Sequence, residues 1–244
     1  MSNISTFFHG KLSPYDLTCL KSFADFGHII SFYSYDKVIC PNFCKWVDAS
    51  KVADPAKIYY YQGGPGKGQI SAFANYFRYL LLDRFDTTWI DVDVICLTNK
   101  WPCADLIFGK EDNIFVNNAV LRLNNQKEIL RDMIRVCELD QGHGEWGATG
   151  PKLLTRSLTQ YDLIGHALSS DVFYPVHWSE ADRTVDPAYY EYILSKTVRS
   201  AAVHLWSEMF RRKGINKFVR PAENSYLWQI ALDHKTLHLF ATTS

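Results

Sequence analysis

The stretch Thr88-Trp89-Ile90-Asp91-Val92-Asp93-Val94-Ile95-Cys96 decides the interpretation of this chain. Its apolar, β-branched residues predict a buried strand. Residues two apart in a strand point the same way, so a strand through the whole stretch would aim both carboxylates, Asp91 and Asp93, at one spot. Two ionised carboxylates in an apolar setting are costly unless a cation lies between them, and Mg²⁺ or Mn²⁺ prefers such oxygen ligands. The pattern favours a divalent-metal site, while a strand end with two solvated, turn-capping aspartates stays open as the alternative.

The composition permits an enzyme of one large domain or two small ones and says little more. The chain has 244 residues, with 26 lysines and arginines balanced by 26 aspartates and glutamates. This balance gives no reason to expect binding to nucleic acid or to bulk membrane. No apolar run approaches the roughly 20 residues that span a bilayer, and the first ten residues lack the pattern of a signal peptide. We therefore expect a soluble, cytoplasmic protein.

The six cysteines show neither C-x-x-C pairs nor a regular spacing. Cys96 lies in the apolar stretch and Cys19 in a predicted helix, where a thiol behaves as a small apolar group. Free thiols in a reducing cytosol are the favoured interpretation. The alternative is a zinc site formed by Cys40 and Cys44 with the nearby His28.

Strands and helices alternate through the first half of the chain, which indicates a parallel α/β sheet with crossover helices. In such sheets the ligand lies beyond the carboxyl ends of the strands, and Asp91 and Asp93 lie toward that end of theirs. We predict strands over 4–8 and 29–35, a short turn or third strand over 48–52, and helices over 14–26 and 71–85.

The second half carries fewer regular signals. The glycine-rich segment 142–151 suits close approach to a ligand or a lid. The basic run 211–213 lies where a helix C-terminus favours cations, with contact to an anionic membrane as the alternative. We predict strand, turn and strand over 113–122, helices over 126–139, 152–158 and 198–212, and a strand over 173–178.

One helix carries a second polar signal. Over 71–85 the apolar residues repeat with helical spacing and form a core face. Ser71, Asn75 and Arg78 are spaced i, i+4 and i+7 and form a separate polar stripe. This stripe is either an ordinary solvated edge with an exposed arginine, or it places Arg78 against a bound anion or a hydroxyl-rich ligand near the D-x-D stretch.

Two other enzyme classes use similar short motifs and are disfavoured. The loop 62–68 is rich in glycine but lacks the G-x-x-x-x-G-K-[ST] spacing of a P-loop. A D-x-D also opens the haloacid-dehalogenase phosphatases, where it follows the first strand of the domain and its first aspartate is the nucleophile. There Thr or Val usually stands two residues after the second aspartate. Here the motif begins at residue 91, and Ile95 fills that place.

Four segments together resemble the bacterial D-x-D glycosyltransferases of glycosyltransferase family 32. The resemblance implies a GT-A fold, which is an α/β architecture with a Rossmann-like mixed sheet flanked by helices and a nucleotide-sugar site at the D-x-D strand. It implies a single domain over 1–244, with a nucleotide-binding half over 1–100 and an acceptor-side half over 101–244. The matching segments are Phe7-Phe8-His9-Gly10-Lys11-Leu12-Ser13-Pro14, the helix and strand over 71–97, Gly150-Pro151-Lys152-Leu153-Leu154-Thr155 and His204-Leu205-Trp206.

The resemblance also implies roles for individual residues. Asp91 would contact the donor sugar and ribose, Asp93 would coordinate Mn²⁺ or Mg²⁺ at the diphosphate, and Arg78 would hydrogen-bond the donor sugar. His204 would approach the metal and the diphosphate together with Trp206. The remaining donor-binding residues expected from the match are His9, Gly10, Ser71, Asn75 and Gly150.

The activity implied is transfer of a hexose or N-acetylhexosamine, with retention, from a nucleotide sugar to a glycan or lipid-linked acceptor in bacterial surface polysaccharide synthesis. UDP is the expected carrier, and peripheral contact with the inner membrane face is a further expectation. The sequence departs from the family pattern at two places. Asn75 stands where the family has aspartate, and Asp86-Thr87 stands where the family has Gly-Gly. The alternatives are therefore an attenuated or non-catalytic carbohydrate-binding protein, and an effector that glycosylates a protein.

Overall fold

The computed structural model describes residues 2–241 and is built around a six-stranded sheet. The strand order across the sheet is β3-β2-β1-β4-β7-β6, and a separate pair joins β5 to β8. The strands are β1 (Asn3–Phe7), β2 (Ile29–Ser34), β3 (Lys45–Asp48), β4 (Thr88–Ile90), β5 (Val94–Cys96), β6 (Leu106–Lys110), β7 (Val116–Leu123) and β8 (Ala202–His204).

The sheet is mixed. Strands β3, β2, β1 and β4 run parallel, whereas β7 is antiparallel to both β4 and β6. Parallel neighbours need crossovers, and helices supply two of them, as the alternating pattern predicts. The predicted α/β class, a Rossmann-like mixed sheet flanked by helices with the D-x-D stretch at a strand end, is confirmed.

Eight helices accompany the sheet in the described part of the chain. Those predicted over 14–26, 71–85, 126–139 and 152–158 are present with ends within two residues. They are α1 (Pro14–Asp25), α2 (Ser71–Arg84), α3 (Lys127–Asp140), α4 (Pro151–Gln160), α5 (Ser170–Phe173), α6 (Tyr190–Thr197), α7 (Ser207–Arg212) and α8 (Tyr226–Asp233).

Two apolar cores lie in the protein, and each takes residues from both halves of the chain. One packs Phe23 of α1 with Val203 of β8, and the other packs Phe77 of α2 with Met133 of α3. Burying such side chains contributes about 1.5–3 kcal/mol each relative to leaving them in water. No helix among residues 2–241 is long and apolar enough to cross a membrane. The assignment of the two halves to donor and acceptor stays a prediction.

The D-x-D stretch forms two strands joined by a turn, so the condition of a continuous strand that would aim both carboxylates at one spot is not met. β4 ends at Ile90, a turn follows, and β5 begins at Val94. The backbone N–H of Val94 donates to the carbonyl of Asp91 at 3.2 Å, which closes the turn. β4 pairs within the main sheet while β5 pairs with β8 outside it. The turn carries both aspartates past the sheet end, where their carboxylates face a cavity.

Three predicted elements in the second half are wrong. Over 198–212 the chain forms β8 and the short helix α7, because Trp206 adopts a left-handed conformation (φ 56°) that interrupts a helix. Over 113–122 there is one strand, since the asparagine pair read as a turn lies buried within β7. No strand forms over 173–178, because α5 ends at Phe173 and irregular chain follows it. Strand β6 was not predicted. Over 48–52, β3 ends at Asp48 and a single 3-10 turn follows.

Candidate active site

A cavity of about 620 Å³ opens at the carboxyl ends of β1 and β4. This is the edge at which parallel α/β sheets present ligand sites. Asp91 and Asp93 reach it from the turn after β4, Arg78 from α2 and His204 from β8. Two consecutive elements, α2 and β4, and one strand far along the chain, β8, thus converge on one space large enough for a small organic ligand.

Arg78 and Asp91 form a buried ion pair. Arg78 Nη2 lies 2.5 Å from Asp91 Oδ1, and the indole N–H of Trp89 donates to the same oxygen at 2.7 Å. Burial raises the pKa of Asp91, while the charge of Arg78 opposes that shift. Arg78 is only 3% exposed, so the solvated-edge interpretation of the polar stripe is wrong.

The guanidinium of Arg78 has donors to spare. Its carbon lies 4.8 Å from the centre of the Trp89 ring, which fixes the plane of the group. Its Nε and Nη1 are buried and have no partner among the described residues. A buried donor without an acceptor costs about 1–3 kcal/mol. Since Arg78 lines the cavity, an oxygen-rich ligand there would satisfy these donors.

Asp93 is held by two donors. Its Oδ1 lies 3.1 Å from Nε2 of His204, and its Oδ2 accepts the backbone N–H of Ser207 at 2.9 Å. Burial disfavours the charged carboxylate, but the charge of His204 and these hydrogen bonds outweigh burial and lower the pKa of Asp93. Burial likewise disfavours the imidazolium of His204, and the Asp93 carboxylate overcomes it and raises the pKa of His204.

The three side chains have the donor chemistry of a divalent-metal site. Asp91, Asp93 and His204 each offer a ligand atom, and these atoms lie within 4.8 Å of one another. They form the one such group of three or more among residues 2–241. Carboxylate oxygens with one imidazole nitrogen suit Mn²⁺, and the oxygens alone suit Mg²⁺. Nδ1 of His204 is buried with no partner in the described protein, so a ligand atom remains available on the ring.

The rings of Trp206 and His204 pack against each other at an angle of 46°. The Trp206 ring centre lies 4.2 Å from that of His204, and its indole N–H donates to the carbonyl of Val176 at 2.9 Å. A bulky residue at positive φ is strained and persists only where its surroundings impose it. Here the ring contact with His204, the hydrogen bond to Val176 and the adjacent Ser207–Asp93 contact impose it. The predicted His-x-Trp element therefore lies at the cavity, though not on a helix.

Asn75 lies in a buried amide cluster at the cavity wall. Its Nδ2 donates to the hydroxyl of Thr149 at 3.3 Å, and its Oδ1 accepts from Nδ2 of Asn118 at 3.0 Å. Tyr79 joins the cluster, accepting from Asn118 at 3.2 Å and donating to the carbonyl of Thr149 at 3.0 Å. Gly150 lies behind this cluster, where an added Cβ would be 3.3 Å from Asn75 Nδ2. A side chain at position 150 would therefore crowd Asn75.

Of the remaining predicted donor-binding residues, Ser71 and His9 line the cavity, whereas Gly10 and Gly150 are not among its lining residues. Ser71 at the start of α2 lines the cavity, and its buried hydroxyl has no partner among the described residues. His9 follows β1, is exposed and lines the cavity as well. Gly10 is exposed at φ 114°, a conformation that favours glycine and turns the chain away after β1.

Several cavity residues were not predicted from the sequence. Glu111 follows β6, and its Oε2 accepts from Nδ2 of Asn117 at 2.6 Å. Burial raises the pKa of the Glu111 carboxyl. Lys217, Trp146 and Trp178 also line the cavity. Trp146 lies in the glycine-rich segment 142–151 that the sequence singled out as suited to a ligand or a lid, whereas Lys217 and Trp178 carried no signal beyond their residue type.

The cysteines and the basic run lie outside the candidate metal cluster. Cys40 and Cys44 are free thiols, and the single metal-type cluster in the described chain does not include them. Arg211 and Arg212 both pair with Glu208, and Lys213 lies 2.5 Å from a carboxylate of Asp182. The three basic residues thus share two acidic partners, and contact of this run with a membrane stays a prediction.

Part of the chain matches a known family region. Residues 122–234 match the model of the alpha 1,4-glycosyltransferase conserved region. This match includes His204 and Trp206 and begins after the D-x-D turn.

Curated proteins give the same indication. The lactosylceramide 4-alpha-galactosyltransferase of Rattus norvegicus is 26% identical over 142 residues, which cover 54% of this chain and 39% of that protein. The Homo sapiens protein of the same name is 25% identical over 145 residues, 54% of this chain and 40% of that protein. The chain thus spans about two fifths of the length of these relatives.

Solved structures include the apo form of the glycosyltransferase GlyE from Streptococcus pneumoniae TIGR4. It aligns over 97% of this chain and 61% of its own, with a TM-score of 0.47 and 14% identity.

Proposed function

We propose that this chain is a metal-dependent glycosyltransferase that moves a hexose or N-acetylhexosamine from a nucleotide sugar to a glycan or lipid-linked acceptor. The observation that carries the proposal is the cluster of Asp91, Asp93 and His204 beside Arg78 at the wall of the cavity. The match of residues 122–234 to an alpha 1,4-glycosyltransferase region supports it. UDP is the proposed carrier.

The donor set fits a divalent cation, which Asp93, His204 and Asp91 would hold. When bound, Mn²⁺ or Mg²⁺ would supply Lewis-acid stabilisation of the diphosphate. Asp93 enters that role already ionised, because its pKa is lowered. The backbone N–H of Ser207 and the ring of His204 fix the direction of its oxygens before any ligand arrives.

Arg78 and the amide cluster suit the sugar. The unused N–H groups of Arg78 can donate to sugar hydroxyls while the Asp91 pair holds the guanidinium in place. Asn75 offers a neutral amide where a carboxylate would add charge, so we expect a different sugar preference from relatives with aspartate at this position. Galactose is the first sugar to test, because the curated relatives are named as galactosyltransferases.

Transfer requires one bond to break and one to form at the same carbon. The bond from the anomeric carbon to the phosphate oxygen breaks with its electrons on the diphosphate, and the acceptor oxygen bonds to that carbon from the same face. The proton of the acceptor hydroxyl passes to the departing phosphate oxygen. Negative charge therefore grows on the diphosphate side of the cavity. Removing a preorganised electrostatic group of this kind typically raises a barrier by about 3–4 kcal/mol.

The acceptor and the cellular role are part of the proposal. We propose a glycan or glycolipid acceptor, in keeping with the lactosylceramide named for the curated relatives. Bacterial surface polysaccharide synthesis in the cytoplasm, with peripheral contact at the inner membrane face, is the proposed setting. A host protein is the second acceptor class.

The test measures thermal unfolding with Mn²⁺ against a panel of UDP-, GDP- and dTDP-sugars. We expect one nucleotide to raise the unfolding temperature of the wild type and to have no effect on Asp93→Asn. Asp162→Asn is the matched control, because it makes the same change at an exposed site outside the cavity. The product's anomeric configuration, read by NMR, should be retained; an inverted product would refute front-face transfer.

Two negative outcomes have distinct meanings. Binding without turnover of any donor, by transfer or by hydrolysis, would favour a carbohydrate-binding protein on this scaffold. No nucleotide-dependent shift in the wild type would reject the proposed donor site.

A further inference from the structure

A lysine that belongs to none of the recognised motifs lines the cavity beside the D-x-D turn. Lys217 lies beyond α7, and its Nζ is 2.9 Å from Oδ1 of Asp16 and 3.3 Å from Oγ of Ser207. The backbone N–H of Ser207 donates to Asp93. A single residue therefore separates the ammonium from the carboxylate expected to hold a metal.

The carboxylate that pairs with this ammonium, Asp16, is buried in the protein interior. It is only 1% exposed. Its Oδ2 accepts both the backbone N–H and the hydroxyl of Ser13 at 2.8 Å, which completes the capping box of α1. Its Oδ1 is left for Lys217. A buried carboxylate needs a cation, so the helix cap and the position of Lys217 are coupled through one side chain.

Lys217 has a donor left over. An ammonium carries three N–H groups, and Asp16 and Ser207 accept two of them. The side chain is 27% exposed and lies in the cavity wall. The third N–H is therefore available to a group inside the cavity.

The charges around the turn show what that group would be. Arg78 is paired with Asp91 and Lys217 with Asp16, while Asp93 and Glu111 add further carboxylates to the cavity lining. A divalent cation held by Asp93 would offset negative charge at the turn. A diphosphate carries more than one negative charge, and the ammonium of Lys217 is placed to share it.

We propose that Lys217 binds the phosphate groups of a nucleoside diphosphate and that Asp16 is the residue that positions it. The proposal rests on the proposed function, because it assumes that the cavity takes a nucleotide sugar. It adds two residues from opposite ends of the chain to the donor site, neither of which lies in a motif.

The experiment is isothermal titration of the full chain with UDP, UMP and uridine, with Mn²⁺ present and again with EDTA. We expect Lys217→Met to weaken UDP binding by about tenfold to a hundredfold, since one charged hydrogen bond is lost. Uridine affinity should not change, because uridine has no phosphate. Lys217→Arg should recover part of the UDP affinity by restoring the charge.

Controls separate binding from folding. Lys11→Met removes a charge from an exposed lysine that contacts the ring of Phe218 nearby, and it should leave all three affinities unchanged. Asp16→Asn should weaken UDP binding and also lower the unfolding temperature, because it touches the cap of α1. Lys217→Gln replaces the methionine variant if that variant does not fold.

The outcomes distinguish the two levels of the proposal. If the wild type and Lys217→Met bind UDP equally well, the role of Lys217 is overturned and the proposed function still stands. Equal losses for UDP and uridine would show a structural role and overturn it as well. If GDP or dTDP is the carrier that the wild type binds, the same series is run on its nucleotides. If the wild type binds none, both proposals fail.

Discussion

Replacing Gly66 by alanine should displace Trp146 from the cavity wall. Gly66 lies in the glycine-rich loop 62–68, and an added Cβ would be 2.2 Å from Cε3 and 2.6 Å from Cζ3 of the indole. The same Cβ would lie 3.2 Å from a ring carbon of Tyr61. Ordinary contact begins at 3.4 Å, so the indole must recede by more than an ångström.

The indole would give up two contacts if it receded. Its ring centre lies 5.0 Å from that of Tyr61, and the guanidinium carbon of Arg212 lies 5.4 Å from its centre. Overpacking of this kind costs about 1–3 kcal/mol in the free energy of unfolding. For a chain of this size, each kcal/mol lowers the unfolding temperature by about 2–4 °C. Ligand affinity should fall too, because Trp146 lines the cavity.

The assay compares two alanine variants of one loop by urea unfolding and by nucleotide titration. Gly63→Ala is the matched control, since a Cβ there meets nothing within 4 Å and φ is not positive. That variant should be neutral or slightly stabilising, through the smaller entropy of its unfolded chain. Adding Trp146→Ala to Gly66→Ala should remove most of the extra cost. Equal stability of the two single variants, or no rescue by the double variant, would refute the reasoning.

Two further predictions concern buried polar contacts. Asn118→Ala leaves the amide oxygen of Asn75 without its donor. It should lower the free energy of unfolding, measured in urea titrations, by about 1–3 kcal/mol. A loss below a few tenths of a kcal/mol would contradict a role for the cluster in stability. Hydrogen bonds and charge from Lys196 and its neighbours lower the pKa of Glu180 against the opposing effect of burial. Its contribution to stability is therefore complete above the ordinary value of 4.5 and is lost as the pH falls through the lower value in the folded state. Between pH 6 and pH 3 the wild type should lose more stability than Glu180→Gln, and parallel losses would contradict this.

Local pattern was sufficient where local forces decide structure. The predicted helices at α1 to α4 are present because apolar periodicity buries one face of each, and Ser13 with Pro14 sets the start of α1. The D-x-D stretch was correctly placed at a strand end. The stripe on α2 left two interpretations open, and the structure places Arg78 beside Asp91, while its contact with a ligand stays a prediction.

Pattern failed where a distant partner decides structure. The segment 198–212 has residues that suit a helix, yet β8 forms because β5 offers it a strand edge. The asparagines of β7 look like a turn, yet they are buried because the side chains of α2 satisfy Asn118. Such pairings depend on segments about 40 to more than 100 residues away, and no local window contains them.

The sequence by itself determined the α/β class, the main helices and the chemistry of the metal-binding candidates, because these follow from residue type and short-range spacing. Only the tertiary structure decided which residues share the cavity. It turned the chain between Asp91 and Asp93, brought His204 to them from the far half, and set Lys217 beside them through Asp16. The physical reason is that a site is a set of distances between remote segments, and those distances exist only after the sheet and its two cores have packed.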